Sequence, residues 1–225
     1  MLFLAVFCGF LAENQREHMV EHQREKKFMV SLLQDLKHDT ADLSGNSKAW
    51  ESFYNNILTL RTFVEPPFQA SNSENAYYRS ALIFNFSEFN YNDRTIEQLR
   101  NSGNFRLIRK QNVVDSLVGY DNIIRNALRN IEAVARNQML AVLSMQSDLF
   151  NSRHIEEYLT GVYGPENPPA ENLYKVENKP ELLFRYYNEL YKYKMFAWGL
   201  TVVNYELKAR ALNLIKLINK EYHLE

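Results

Sequence analysis

Apolar residues recur along most of this chain at three- and four-residue steps, the period of one face of a helix. With Met29 taken as the first position of a heptad, Leu36, Leu43, Trp50, Ile57 and Val64 follow at intervals of seven, all apolar. The fourth positions hold Leu32, Asp39, Asn46, Phe53 and Leu60, so this seam turns polar in its middle. The pattern predicts a long amphipathic helix that "SGNS" at 45–48 bends or splits, and that stops before "EPPF", because Pro66 and Pro67 disfavour helical geometry in the residues ahead of them.

Four further helical stretches follow. "SENAYYRSALIFNF" reads as a second helix, and "NDRTIEQLRNSGNF" as a helical corner in which Asp93 caps a short helix over 94–101 and Gly103 takes the left-handed conformation that ends it. A long helix over about 110–151 carries Val113, Leu117, Ile124, Leu128, Ile131, Ala135, Val142, Met145 and Leu149. Another, over about 180–222, carries Leu183, Tyr187, Leu190, Ala197, Leu200, Leu207, Leu214 and Ile218. The loop between them holds four prolines. Long stripes joined by few breaks make an all-α fold the expectation, with an antiparallel four-helix-bundle-like domain as its economical form.

The first twelve residues break the pattern. "MLFLAVFCGFLA" has no charge, whereas about half of the next fifteen residues are charged. A head that is apolar all round suits lipid or complete burial. Twelve residues at about 1.5 Å each cross roughly 18 Å of a ~30 Å hydrocarbon core, so the head reads as a transmembrane helix cut short at its N-terminus. A basic n-region and a cleavage site, which a signal peptide needs, are both missing. The expectation is a membrane anchor over 1–18, with Leu2, Phe3, Leu4, Val6, Phe7, Phe10 and Leu11 facing lipid, running into a stalk and a helical domain over 19–225.

Composition narrows the function classes. At 225 residues and 46% hydrophobic content the chain can bury a real core. Lys and Arg total 26 against 27 Asp and Glu and are scattered, which leaves nucleic-acid binding without an electrostatic footprint. The single cysteine, Cys8, excludes an intrachain disulfide.

The runs "LFLAVFCGFLAENQREH", "REKKFMVSLLQDLKHDT" and "TIEQLRNSGNFRLIRKQNVVDSLVGYDN" resemble a Bacteroidota family of uncharacterised single-span membrane proteins, a domain of unknown function, over roughly the first 130 residues. In that family a basic segment precedes a full span, which continues into a charged stalk and a helical domain. The resemblance implies a bacterial inner-membrane location with the bulk of the chain in the periplasm. It brings no activity, although Arg16, Arg24, Lys26 and Lys27 by themselves would place the domain on the cytoplasmic side.

Candidate chemistry is sparse. "HMVEH" at 18–22 matches the H-x-x-E-H zinc signature, with His18 and His22 as its two metal ligands. The motif sits in a ladder of Glu13, Glu17, Glu21 and Glu25 interleaved with arginines, which is the composition of a solvated stalk, and no third ligand offers itself. Carried back from Met29, the heptad also sets both histidines on the seam. Neither a nucleophile elbow nor a phosphate loop is present, and no cofactor is implied. The aromatic runs "YYRSALIFNFSEFNY" and "FRYYNELYKYKMFAW" read as core before pocket, and "MFAWGLTVVNY" as a buried helix segment too short to span.

The sequence therefore predicts a membrane-anchored helical scaffold or interaction module that self-associates or joins a membrane-protein partner, and not an enzyme. The alternatives are a ligand-sensing periplasmic bundle and, more remotely, a zinc-dependent hydrolase using the H-x-x-E-H stretch.

Overall fold

A computed structural model of the chain describes residues 2–84, 86–163, 166–167, 175–177 and 179–224, with side chains from residue 6 onward. All regular structure among the described residues is helical. Helix α1, Leu2–Phe63, runs unbroken through "SGNS": Gly45 faces solvent while Asn46 and Ser47 are buried, so the predicted bend or split does not occur there. It ends ahead of Pro66 and Pro67, which are joined by a cis bond. All six heptad residues from Met29 to Val64 are at most 2% exposed, and the polar fourth positions Asp39 and Asn46 are buried with them.

Helix α2 is Ser73–Ala81, α3 Arg94–Asn101, α4 Gln111–Asn122, α5 Arg129–Leu149, α6 Ser152–Leu159 and α7 Pro180–Tyr222. Between α4 and α5, residues Ile123–Leu128 form a π-helical segment. Its cause is visible in the stripe. From Tyr120 the core stripe runs through Ile124, Leu128 and Glu132 in steps of four, with Asp121 also buried beside Tyr120, where a regular seam alternates three and four. The stripe therefore carries one residue too many for α-helical turns, and the wider π turn absorbs it. Helix α6 escaped the sequence reading. It starts at Asn151, whose side chain accepts a hydrogen bond from the Arg153 backbone N–H.

The chain forms two compact units that interleave in sequence: Met1–Leu43, Asn90–Ile124 and Glu206–Glu225 make the first, Ser44–Phe89 and Arg125–Tyr205 the second. Both α1 and α7 contribute residues to each unit, so the division differs from the boundary near residue 18 that the sequence suggests.

The second unit is held chiefly by aromatic packing. Trp50 meets Phe53 and Phe86 edge-on at 5.5 and 5.1 Å, Phe53 meets Tyr193 at 5.0 Å, and Tyr77 meets Phe150 at 4.9 Å. Here α1 and α7 run antiparallel, since Phe53 lies on Tyr193 while Arg61, further along α1, stacks over Tyr187, earlier on α7. In the first turns of α7 Tyr186 is buried, and the Tyr187 of the predicted stripe is only half-buried. The heptad 183–190–197 takes its fourth position at 186, one residue earlier than the sequence reading.

Candidate functional site

Two places carry the sequence's functional expectations, and a third emerges only from the structure. The first is the apolar head. It is the start of α1, and Val6, Phe7, Phe10 and Leu11 are 48–68% exposed; the side chains of Leu2, Phe3 and Leu4 lie outside the described residues. No helix among the described residues is long and apolar enough to cross a membrane. Of the expected transmembrane helix, the described residues hold an exposed apolar run ahead of the charged ladder that begins at Glu13.

The second place is the histidine pair. His18 and His22 are both exposed on α1, and among the described residues no three His, Cys, Asp or Glu side chains gather as a metal site. The pair is instead tied into the fold of the first unit. Arg109 donates to the His18 carbonyl at 3.4 Å and pairs with Glu21 at 3.8 Å, while His22 Nδ1 lies 3.3 Å from Glu25 Oε2.

Glu25 overturns the reading of this stretch as solvated ladder. It is 1% exposed, and its Oε1 accepts hydrogen bonds from the Arg109 backbone N–H at 2.7 Å and from the Tyr222 hydroxyl at 2.6 Å. The physical reason is register. Glu25 occupies the fourth heptad position ahead of Met29, so it faces inward wherever the seam is covered.

The third place, a set of buried carboxylates, was not anticipated. In the first unit Asp39, 1% exposed, accepts at Oδ1 from the Asn92 backbone N–H (2.9 Å) and side-chain amide (3.0 Å), and at Oδ2 from the Tyr120 hydroxyl (2.9 Å). Asp35 accepts from the Thr95 backbone N–H at 3.0 Å and pairs with Arg94 at 3.1 Å. It does the work expected of Asp93. Although Asp93 stands at the N-cap of α3, its side chain makes no capping bond, and the orphan N–H of Thr95 is met by a carboxylate from α1. Gly103 does adopt the left-handed conformation, with φ 66°, and its N–H donates to the Arg100 carbonyl. Asp121 accepts from the Tyr91 hydroxyl at 3.0 Å and from Arg100 at 2.5 Å. In the second unit Glu132 binds the Phe89 backbone N–H at 3.1 Å and Arg129 at 2.8 Å.

These groups share one task. Asp39, Glu132 and Glu25 each take a backbone N–H from a residue outside the helices, Asn92, Phe89 and Arg109, and Asp35 takes that of Thr95 in the first turn of α3. A buried carboxylate is costly unless its charge is met by such donors. Asp39 is held by three neutral donors: burial pushes its pKa from 3.8 up to about 6, against the opposing pull of the Asn92 and Tyr120 hydrogen bonds. Burial, reinforced by the neighbouring Asp39 carboxylate, drives the Tyr120 hydroxyl far above its ordinary value.

The aromatic runs divide between core and surface. Tyr77, Phe89, Tyr186 and Tyr193 are buried, whereas Phe184, Tyr191 and Trp198 are about half exposed, so the "MFAWGLTVVNY" helix is buried on one face only. One cavity of ≈ 360 Å³ in the second unit is lined by Ala49, Trp50, Phe53, Phe84, Phe86 and Ser87. The Trp50 indole N–H already donates to the Ser87 carbonyl at 2.9 Å, so the indole adds only its ring to that lining. Comparisons with protein-family models, curated proteins and solved structures found no match.

Proposed function

We propose that this protein is an anchored helical scaffold, an antiparallel four-helix-bundle-like body that a bilayer holds through the apolar start of α1 and that associates with further copies of itself. The observation that carries the reading is the exposed run Val6, Phe7, Phe10 and Leu11 on a helix that continues into the body without interruption. An apolar end with no polar face is stabilised by lipid at roughly 25 cal/mol per Å² of surface removed from water. The resemblance to single-span envelope proteins agrees with a bacterial inner-membrane setting and a periplasmic body.

Chemistry at the buried carboxylates is not part of the proposal. Asp35, Asp39, Glu25 and Glu132 each already hold a backbone N–H of their own unit, which suits fixing that backbone in place.

The test is flotation of the full chain with vesicles of phosphatidylethanolamine and phosphatidylglycerol. The native protein is expected in the vesicle fraction. Phe7→Glu with Phe10→Glu is expected to leave it there at a small fraction of the native amount, with helical circular dichroism unchanged, since neither ring is buried. Equal flotation of the two proteins, or none by the native chain, contradicts anchoring by the head.

A further inference from the structure

We propose that the exposed face of α7 in the second unit is a second helical seam that docks a second copy of this chain in parallel; this deepens the scaffold reading by naming its self-association surface. Phe184, Tyr191, Met195, Trp198, Val202 and Tyr205 are 41–57% exposed. After the seven-residue step from Phe184 to Tyr191 they follow at four, three, four and three, the alternation of a coiled-coil seam. At 100° per residue this stripe lies about 150° around the helix from the buried one formed by Tyr186, Leu190, Tyr193, Ala197 and Leu200. Single exposed apolar side chains are ordinary on protein surfaces; six in register along one helix face mark an interaction surface.

Three features select the occupant. The first is the seam's one polar layer, Asn188, which stands between Phe184 and Tyr191 at the position corresponding to Met195 and Val202. In a parallel pair it meets its own counterpart, amide to amide, which is the best-attested use of asparagine in a two-stranded seam. An apolar partner would leave that amide unpaired. The second is charge. In parallel register the flanking Lys194 lies opposite Gly199 of the second copy and Tyr187 opposite Lys192, so no two like charges meet. The third is area. Half-exposed aromatic side chains that offer roughly 150–250 Å² each place on the order of 500 Å² of this stripe in the contact from each copy, most of the ~800 Å² per partner of a stable interface. Parallel helices are also what two copies rooted in one bilayer require.

Sedimentation of the full-length protein in detergent supplies the first test. The native chain is expected at twice the monomer mass, Trp198→Glu and Val202→Lys at monomer mass with unchanged helicity, and Val118→Glu, an exposed control on α4, at the native mass. A monomeric native chain overturns the docking, and two stripe variants that stay folded and dimeric overturn the surface. Orientation is read from Asn188→Cys in a Cys8→Ser background under mild oxidation. A covalent dimer is expected, because antiparallel docking centred on Trp198 would hold the two thiols about 30 Å apart. A dimer that forms no such bond overturns the parallel arrangement. Flotation separates this proposal from the anchor: a chain that floats as a monomer removes the docking alone, and one that dimerises without floating removes the anchor alone.

Discussion

Asp39 shows how a single residue is decided by partners far away in sequence. By its heptad position it looks like a flaw in an apolar seam. Its donors, Asn92 and Tyr120, lie 53 and 81 residues further along, and they turn the flaw into a fixing point. The residual cost is electrostatic. Because burial raises the folded pKa to about 6 from 3.8, the folded state holds this proton more tightly than the unfolded chain does. The group's contribution to stability is therefore complete below pH 4 and is lost as pH rises through about 6, by an amount on the order of 2–3 kcal/mol. Asp39→Asn keeps an acceptor for the Asn92 N–H and removes the titration. Urea unfolding at pH 4.5 and 7.5 is expected to show the variant gaining on the native chain at the higher pH. An unchanged difference between the two pH values would show that Asp39 does not titrate in this range.

At the scale of the element, α1 is one helix with two kinds of inward position. Trp50 and Ile57 belong to the apolar kind, so truncating either to alanine is expected to cost about 2–5 kcal/mol. Glu25 belongs to the polar kind. Its removal strands the Arg109 N–H and the Tyr222 hydroxyl, and Glu25→Ala is expected to cost on the order of 3 kcal/mol, whereas Glu17→Ala, on an exposed turn, costs little. Chemical denaturation of the four variants checks the ranking; a Glu25 variant as stable as the Glu17 one would break the register argued for the start of the seam. The helix predicted over 110–151 shows the opposite lesson. Its period was readable, but its surplus residue only became a π segment because both halves of the stripe had to face the core.

For the whole molecule, the two units share α1 and α7, each of which continues unbroken past a unit boundary at 43/44 and 205/206. Helical hydrogen bonding is cooperative along a segment, so fraying one unit's part of α1 propagates into the other's. Leu36→Ala in the first unit and Ile57→Ala in the second are expected to lower one common thermal transition, followed by circular dichroism at 222 nm. Two resolved transitions, each moved by only one of the substitutions, would show the units to be independent.

The sequence by itself determined what depends on local period and on breakers. It placed the end of α1 ahead of Pro66, the seam from Met29 to Val64, the left-handed Gly103 and the span of α7, because each follows from the steric rules of one helix or turn. The apolar head was equally legible as composition. What only the tertiary structure decided is the fate of polar groups at inward positions. Glu25 and Asp39 carry no local sign of whether their lone pairs will meet water or a backbone N–H, and that depends on where Arg109 and Asn92 are placed within the first unit. The same holds for Asp93. Its residue type and place ahead of α3 suited a cap, but Asp35, 60 residues before Thr95, took that N–H instead. On α7, period alone marked the aromatic residues as core, and only the fold settled that Tyr186 and Tyr193 face inward while Trp198 and Tyr205 face out, since a helix apolar on two sides can turn only one of them to its own core.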